Sequence, residues 1–244
     1  MVGCRRSIVL RLSMPSFDLS ILLSGPYQAM LLAGLRLSLT LLGATFVLAL
    51  PLGTLIALAR LSPFAPVRGL GSVFVESQRN VPLLAHLLFW YFGAPELLPD
   101  AARQWLYAHD VETIAAVVAI TLYYAAFIAE DVRSGIRAVP TVQFEAARAL
   151  GLPWLKSMRL VVLPQALRVA VPPLLSQTLN IWKDTSIATV IGTAELMYQA
   201  AKVESATFRS FEAFTFATVS YLAVSLLISV LASGYHHYFP PRAS

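Results

Sequence analysis

Residues 145–164 read EAARALGLPWLKSMRLVVLP, a polar interruption between two long apolar blocks. The stretch is too long for a tight turn and carries its own punctuation. Pro140, just ahead of it, suits the first turn of a helix, where a missing N–H costs little. Gln143 to Leu150 is rich in Ala, Leu and Arg and predicts a short helix. Gly151 stands where that helix ends, because glycine takes positive φ without a Cβ clash. Pro153 opens a second short helix, and Pro164 is expected to interrupt whatever follows Val162. The expectation is helix, sharp turn, helix. Glu145 and Arg148 share one face, and Trp154, Met158 and Val161 form an apolar stripe. Such a stripe needs cover. Either it packs on its own chain or the lipid interface, or it docks a soluble partner.

Composition sets the class around this stretch. Of 244 residues, 57% are hydrophobic and only 13% charged, more apolar surface than a soluble core needs. The chain reads as an all-α, polytopic membrane protein. The net charge of +5 is then a matter of membrane sidedness, and no nucleic-acid partner is expected. Cys4 is the only cysteine, which excludes an intrachain disulfide and a cysteine metal site.

Working outward, about five transmembrane helices are expected. Leu37–Ala59 and Ala213–Tyr235 lack formal charge, and each is long enough for a hydrocarbon core of about 30 Å. Pro51 and Gly53 are expected to bend the first. Thr113–Val132 and Leu167–Ala194 are two more, the latter with Lys183-Asp184 in its middle. The remaining one, Phe64–Phe92, contains Glu76, Gln78, Arg79, Asn80, Pro82 and His86 and reads as a broken helix, tolerated only against protein or a cavity. Residues 95–112 read as an external loop with a short helix near Trp105, and Glu195–Glu212 as a second, solvated one. Tyr221, Tyr235 and Tyr238 are candidate interface anchors. Arg133, Arg137, Arg148, Lys156, Arg159 and Arg168 crowd one loop, which puts that loop and the C-terminus in the cytoplasm and the N-terminus outside. Arg5, Arg6 and Arg11 oppose this orientation; the run they flank reads as an interfacial anchor.

The spacing Glu145-Ala146-Ala147, Gly151, Val161, Leu163-Pro164 resembles the "EAA" coupling loop of ABC-importer permeases. Glu130, Ile136 to Pro140, Gln143 and Lys183-Asp184-Thr185-Ser186 narrow the resemblance to the polar amino-acid uptake branch, over roughly residues 27 to 235. The resemblance implies a transmembrane domain over 27–238 with its coupling loop at 140–165, preceded by an interfacial segment, 1–26, and followed by a tail, 239–244. It implies a bacterial inner-membrane permease subunit forming half of a pathway for polar amino acids. Expected partners are a second permease copy or paralogue, two ATPase subunits carrying ATP-Mg, and an extracytoplasmic solute-binding protein landing on an external loop such as 195–212. Glu145, Ala146, Ala147, Gly151, Leu163 and Pro164 would couple to the ATPase. This chain departs from the branch at Val81, His86 and Val142, where threonine, glutamine and glycine are usual.

No metalloprotease, nucleophile-elbow or CxxC motif occurs. Gly151 to Ser157 lacks the second glycine of a phosphate loop, so this chain is not expected to be an enzyme, to bind a cofactor or metal, or to hydrolyse ATP. The chemistry on offer is polar groups at membrane depth. Glu76, Arg79, Asn80, Lys183, Asp184 and Thr185 are the candidate solute pathway. Adjacent residues on a helix point about 100° apart, so Lys183 and Asp184 each need a partner of their own. One cation and one anion complement a zwitterionic amino acid; a structural ion pair is the plainer alternative. Glu130 can pair with Arg133 one turn on, and His86 reads better as a packing histidine than as a relay. The rival reading is an ion-coupled secondary transporter or channel using Lys183, Asp184 and His86, for which residues 145–164 would have no purpose. Which amino acid is carried stays open at this stage.

Overall fold

The computed structural model describes residues 25–238; the expected interfacial segment, but for its last two residues, and the expected tail lie outside them. The described residues form helices and no strands. In chain order these are α1 (Pro26–Arg60), α2 (Ala65–Arg79), α3 (Leu83–Leu88), α4 (Asp100–Tyr107), α5 (Val111–Arg137), α6 (Thr141–Ala149), α7 (Trp154–Ser157), α8 (Leu163–Asp184), α9 (Leu196–Thr207) and α10 (Ser210–Tyr238). A π turn, Phe89–Gly93, and a 3₁₀ turn, Ala94–Leu97, continue α3. A second π turn, Met158–Val162, joins α7 to α8, and a 3₁₀ segment, Thr185–Ile191, continues α8.

Four stretches are long and apolar enough to cross a membrane: Pro26–Arg60, Val111–Arg137, Trp154–Ile191 and Ser210–Tyr235. The fifth expected span is a broken pair, α2 and α3, parted at Asn80 to Pro82. Asn80 ends α2 by returning its amide to the Glu76 carbonyl at 2.8 Å, and Pro82, with no N–H to give, starts α3.

α5 is the central helix. Its alanines (Ala115, Ala116, Ala119, Ala125) let α1 come close, and Leu41, Ala49, Leu87, Ile181 and Ile191 close over them. A bilayer offers no hydrophobic drive between helices, so this association rests on close packing of small residues. Gly53 marks the tightest crossing. A Cβ there would lie 2.7 Å from the Ala125 carbonyl oxygen and from Ile128 Cγ2. α1 runs on as helix through Pro51, so Gly53 serves this contact with α5.

Two expectations are corrected. Pro164 does not interrupt the second of the two short helices. The π turn before it widens the backbone, with Leu163 N–H bonding Met158 C=O, so the proline ring is accommodated and the helix continues to Ile191. The extra residue shifts the phase: Ser157, Val162, Ala166 and Ala170 point inward, and Val161 does not share that face. Nor is 195–212 an irregular loop, though one face of it is exposed. It contains α9, packed on α1 and α10 through Leu31, Leu196, Ala200, Val203 and Ala217.

Candidate functional site

The first candidate is the polar interruption of residues 145–164 and its flank, which fold as α6, a turn and α7. Gly151 has φ 81, and its N–H bonds the Arg148 carbonyl while Leu152 N–H bonds that of Ala147, at 2.9 and 3.2 Å. Both bonds together are the glycine stop that reverses a helix in one step. No atom lies within 4 Å of a Cβ built on Gly151, so the requirement there is conformational, not steric. Ala147 and Ser157 are buried inside the turn, and Ser157 Oγ donates to the carbonyls of Leu152 and Pro153. Everything else faces out. Glu145, Ala146 and Arg148 are exposed, Leu150 is 83% exposed, and Val142 is 59% exposed. The Glu145 carboxylate has no partner among the described residues. α6 packs chiefly on α7 and the π turn. Leu163 and Pro164, at the start of α8, are exposed beside it.

The second candidate is a polar pocket of about 360 Å³ between α5 and α8. Tyr123, Tyr124 and Phe127 line one wall; Gln177, Asn180, Lys183 and Asp184 line the other. Tyr124, buried, donates its hydroxyl to Asp184 Oδ2 at 2.6 Å. The Lys183 ammonium is exposed and has no hydrogen-bond or ion-pair partner among the described residues. The pair sits at the end of α8, where the helix tightens to 3₁₀, rather than mid-helix. Below the pocket, Gln177 Nε2 donates to Asp131 Oδ2 at 2.9 Å. Arg79 lies 5.2 Å from the Phe127 ring centre, at the pocket edge. The arrangement presents one free cation, one half-satisfied anion, two amides and an aromatic wall.

The other predicted pathway residues fall elsewhere. Glu76 and Asn80 bond each other at the exposed end of α2. Thr185 is fully buried, donates to the Trp182 carbonyl, and does not line the pocket. His86 is buried, bonded to the Gln78 carbonyl at 3.2 Å and set edge-on to Tyr123, which is a packing role. Glu130 pairs with Arg133 as expected, and also with Arg60 at the end of α1, at 2.5 Å. Sequence reasoning missed Tyr124, Gln177 and Asn180. It also missed the buried cluster around Glu195. That side chain is fully buried and accepts from Ser38 Oγ at 3.1 Å, Tyr221 Oη at 2.8 Å, Tyr198 N–H at 2.9 Å and the Thr189 hydroxyl. Tyr221, expected at the membrane interface, faces inward to this carboxylate, and its backbone oxygen accepts from Trp182 Nε1.

Residues 49–244 match the family described as binding-protein-dependent transport system inner membrane component. The chain is 38% identical over 195 residues to the probable glutamine ABC transporter permease protein GlnM of Bacillus subtilis (strain 168), covering 78% of this chain and 85% of that one. It is 32% identical over 209 residues to the glutamate/aspartate import permease protein GltJ of Escherichia coli (strain K12), covering 84% and 85%. A solved structure described as "Crystal structure of an amino acid ABC transporter with histidines" superposes with a TM-score of 0.79 at 30% identity, over 92% of this chain and all of that one. An inward-facing MetNI methionine ABC transporter shares the fold, with a TM-score of 0.68 at 21% identity over 88% of this chain and 99% of that one.

Proposed function

This chain belongs to the family of binding-protein-dependent transport system inner membrane components, and on that premise we propose that it is the permease subunit of an ATP-driven importer for polar amino acids. Relatives named for glutamine and for glutamate/aspartate support the substrate class. The observation that carries the coupling role is the exposed turn of residues 140–165. It stands off the chain's own core and presents Glu145, Val142 and Leu150 with no intramolecular cover. A soluble subunit is the natural cover, and the ATP-Mg site belongs to that subunit. When two such ATPases close, the turns of two permeases are drawn together, and the spans tilt as rigid bodies to alternate access.

The pocket between α5 and α8 is the solute path on this half. Asp184, held by Tyr124, receives an α-ammonium; Lys183 receives an α-carboxylate. A second permease, copy or paralogue, supplies the opposite wall, and an extracytoplasmic binding protein delivers the solute. The concentration of Arg and Lys in 133–168 supports a cytoplasmic turn, a cytoplasmic C-terminus and an external N-terminus in a bacterial inner membrane.

The test is purification of the tagged chain from native membranes. A P-loop ATPase in stoichiometric amount, lost on Glu145→Arg and on Gly151→Asp while the chain still inserts, is expected. A chain that purifies alone, yet moves amino acids under an ion gradient without ATP, would overturn the reading.

A further inference from the structure

A second cavity, of about 640 Å³, opens where α1, α5 and α7–α8 diverge near the coupling turn. Its size falls within the ~300–1,000 Å³ of ligand sites. Its walls are Leu50, Leu58, Val132, Ala166, Leu167 and their apolar neighbours, with Trp154 at the turn end. Arg159 is the only charged residue lining it, and the guanidinium has no partner among the described residues. We infer that the groove takes an acyl chain of an anionic phospholipid from the cytoplasmic leaflet, with the headgroup phosphate on Arg159.

Three observations favour lipid over a second permease. Val132 and Ile136 lie on the side of α5 opposite Tyr123 and Phe127, since nine residues return a helix to its far face. If the polar pocket faces the partner permease, this groove faces away from it. The walls belong to helices long and apolar enough to cross a membrane, and Leu58, Leu163 and Leu167 are exposed along them, which leaves the groove open to an acyl chain. The charge sits only at the end next to the basic loop, and basic pockets between spans on the cytoplasmic side suit anionic headgroups. One wall, α7 with the π turn and the start of α8, continues directly from the 140–165 turn; the other is α1 and α5. The occupant therefore touches both the turn and the spans behind it. This inference rests on the proposed orientation and permease role.

The test uses the purified complex in nanodiscs of phosphatidylglycerol or phosphatidylcholine, followed by native mass spectrometry of retained lipid. Phosphatidylglycerol is expected to be retained in preference to phosphatidylcholine. Arg159→Gln is expected to lower that retention about fivefold, the effect of one basic residue at an anionic lipid surface. Leu167→Trp, which fills the groove from a half-exposed position, is expected to remove it in both lipids. Equal retention by parent and both variants would overturn the inference. So would efficient disulfide formation between copies through Leu167→Cys in a Cys4→Ser background, since a second chain would then cover the groove. Presence or absence of the ATPase in the same spectra reports separately on the importer reading.

Discussion

Asp184 and Glu195 lie close together in sequence, both at membrane depth or its edge, and the fold treats them oppositely. Glu195 is wholly buried, and both of its oxygens are occupied by donors from α1, α9, α10 and the 3₁₀ segment. Asp184 is half-buried beside an open cavity, with a single hydroxyl from Tyr124 and an unpaired lysine as its neighbour. A carboxylate with every acceptor filled fixes four segments in one arrangement and has no capacity left for a ligand. One with capacity left is costly to the fold unless something else completes it. Under the proposed function, the contrast gives Glu195 the scaffold and Asp184 the solute.

The contrast breaks most visibly at Glu195. Glu195→Ala strands four donors at once, and each hydrogen bond to a charged group is worth about 1.5–3 kcal/mol. We expect a large drop in melting temperature in detergent and little mature protein in the membrane; a stable, well-expressed variant would refute the scaffold role. Asp184→Ala should do the reverse. Uptake into proteoliposomes is expected to fall by roughly tenfold or more, read as kcat/KM, with melting temperature near that of the parent. Should the variant melt like Glu195→Ala, the two acids are alike and the comparison fails. Arg60→Ala removes one of two cations from Glu130. Its loss is expected to cost about 1 kcal/mol, as for a part-exposed ion pair, seen in denaturant unfolding and not in solute affinity. The finest test swaps single hydroxyls. Tyr221→Phe should lower stability by about 1–2 kcal/mol and leave solute KM unchanged; Tyr124→Phe should raise KM a few-fold with a smaller stability loss. The same effect from both would mean that burial of the acid does not decide its role.

What the sequence made legible was local. The helix-turn-helix of 140–165 could be read because a glycine stop and prolines are short-range devices, and the structure has Gly151 at φ 81 where they demand it. The long apolar stretches were legible because a bilayer imposes length directly. Pro164 was misread, because the rule for proline in an α-helix does not foresee a π turn just ahead of it. Glu195 was misread because its partners, Ser38 and Tyr221, are remote in sequence, so a polar stretch looked like a loop. Tyr124 was hidden for the same reason. On paper it belongs to an apolar span, and only the crossing of α5 with α8 brings its hydroxyl to Asp184. Thr185 shows the converse: adjacent to Lys183-Asp184 in the chain, it gives its hydroxyl to the Trp182 carbonyl and does not line their pocket.

The unbroken passage from Trp154 to Ile191 has a mechanical corollary. Its 38 residues, at ~1.5 Å each, make a shaft of about 57 Å. Pro172 and Pro173 sit at its midpoint, and the helix runs on through both. Pivoted there, a shaft of this length displaces each end by about half an ångström per degree, in opposite directions. Under the proposed function, a push at the Trp154 end would thus reach Lys183 and Asp184, beyond the pivot, with its direction reversed.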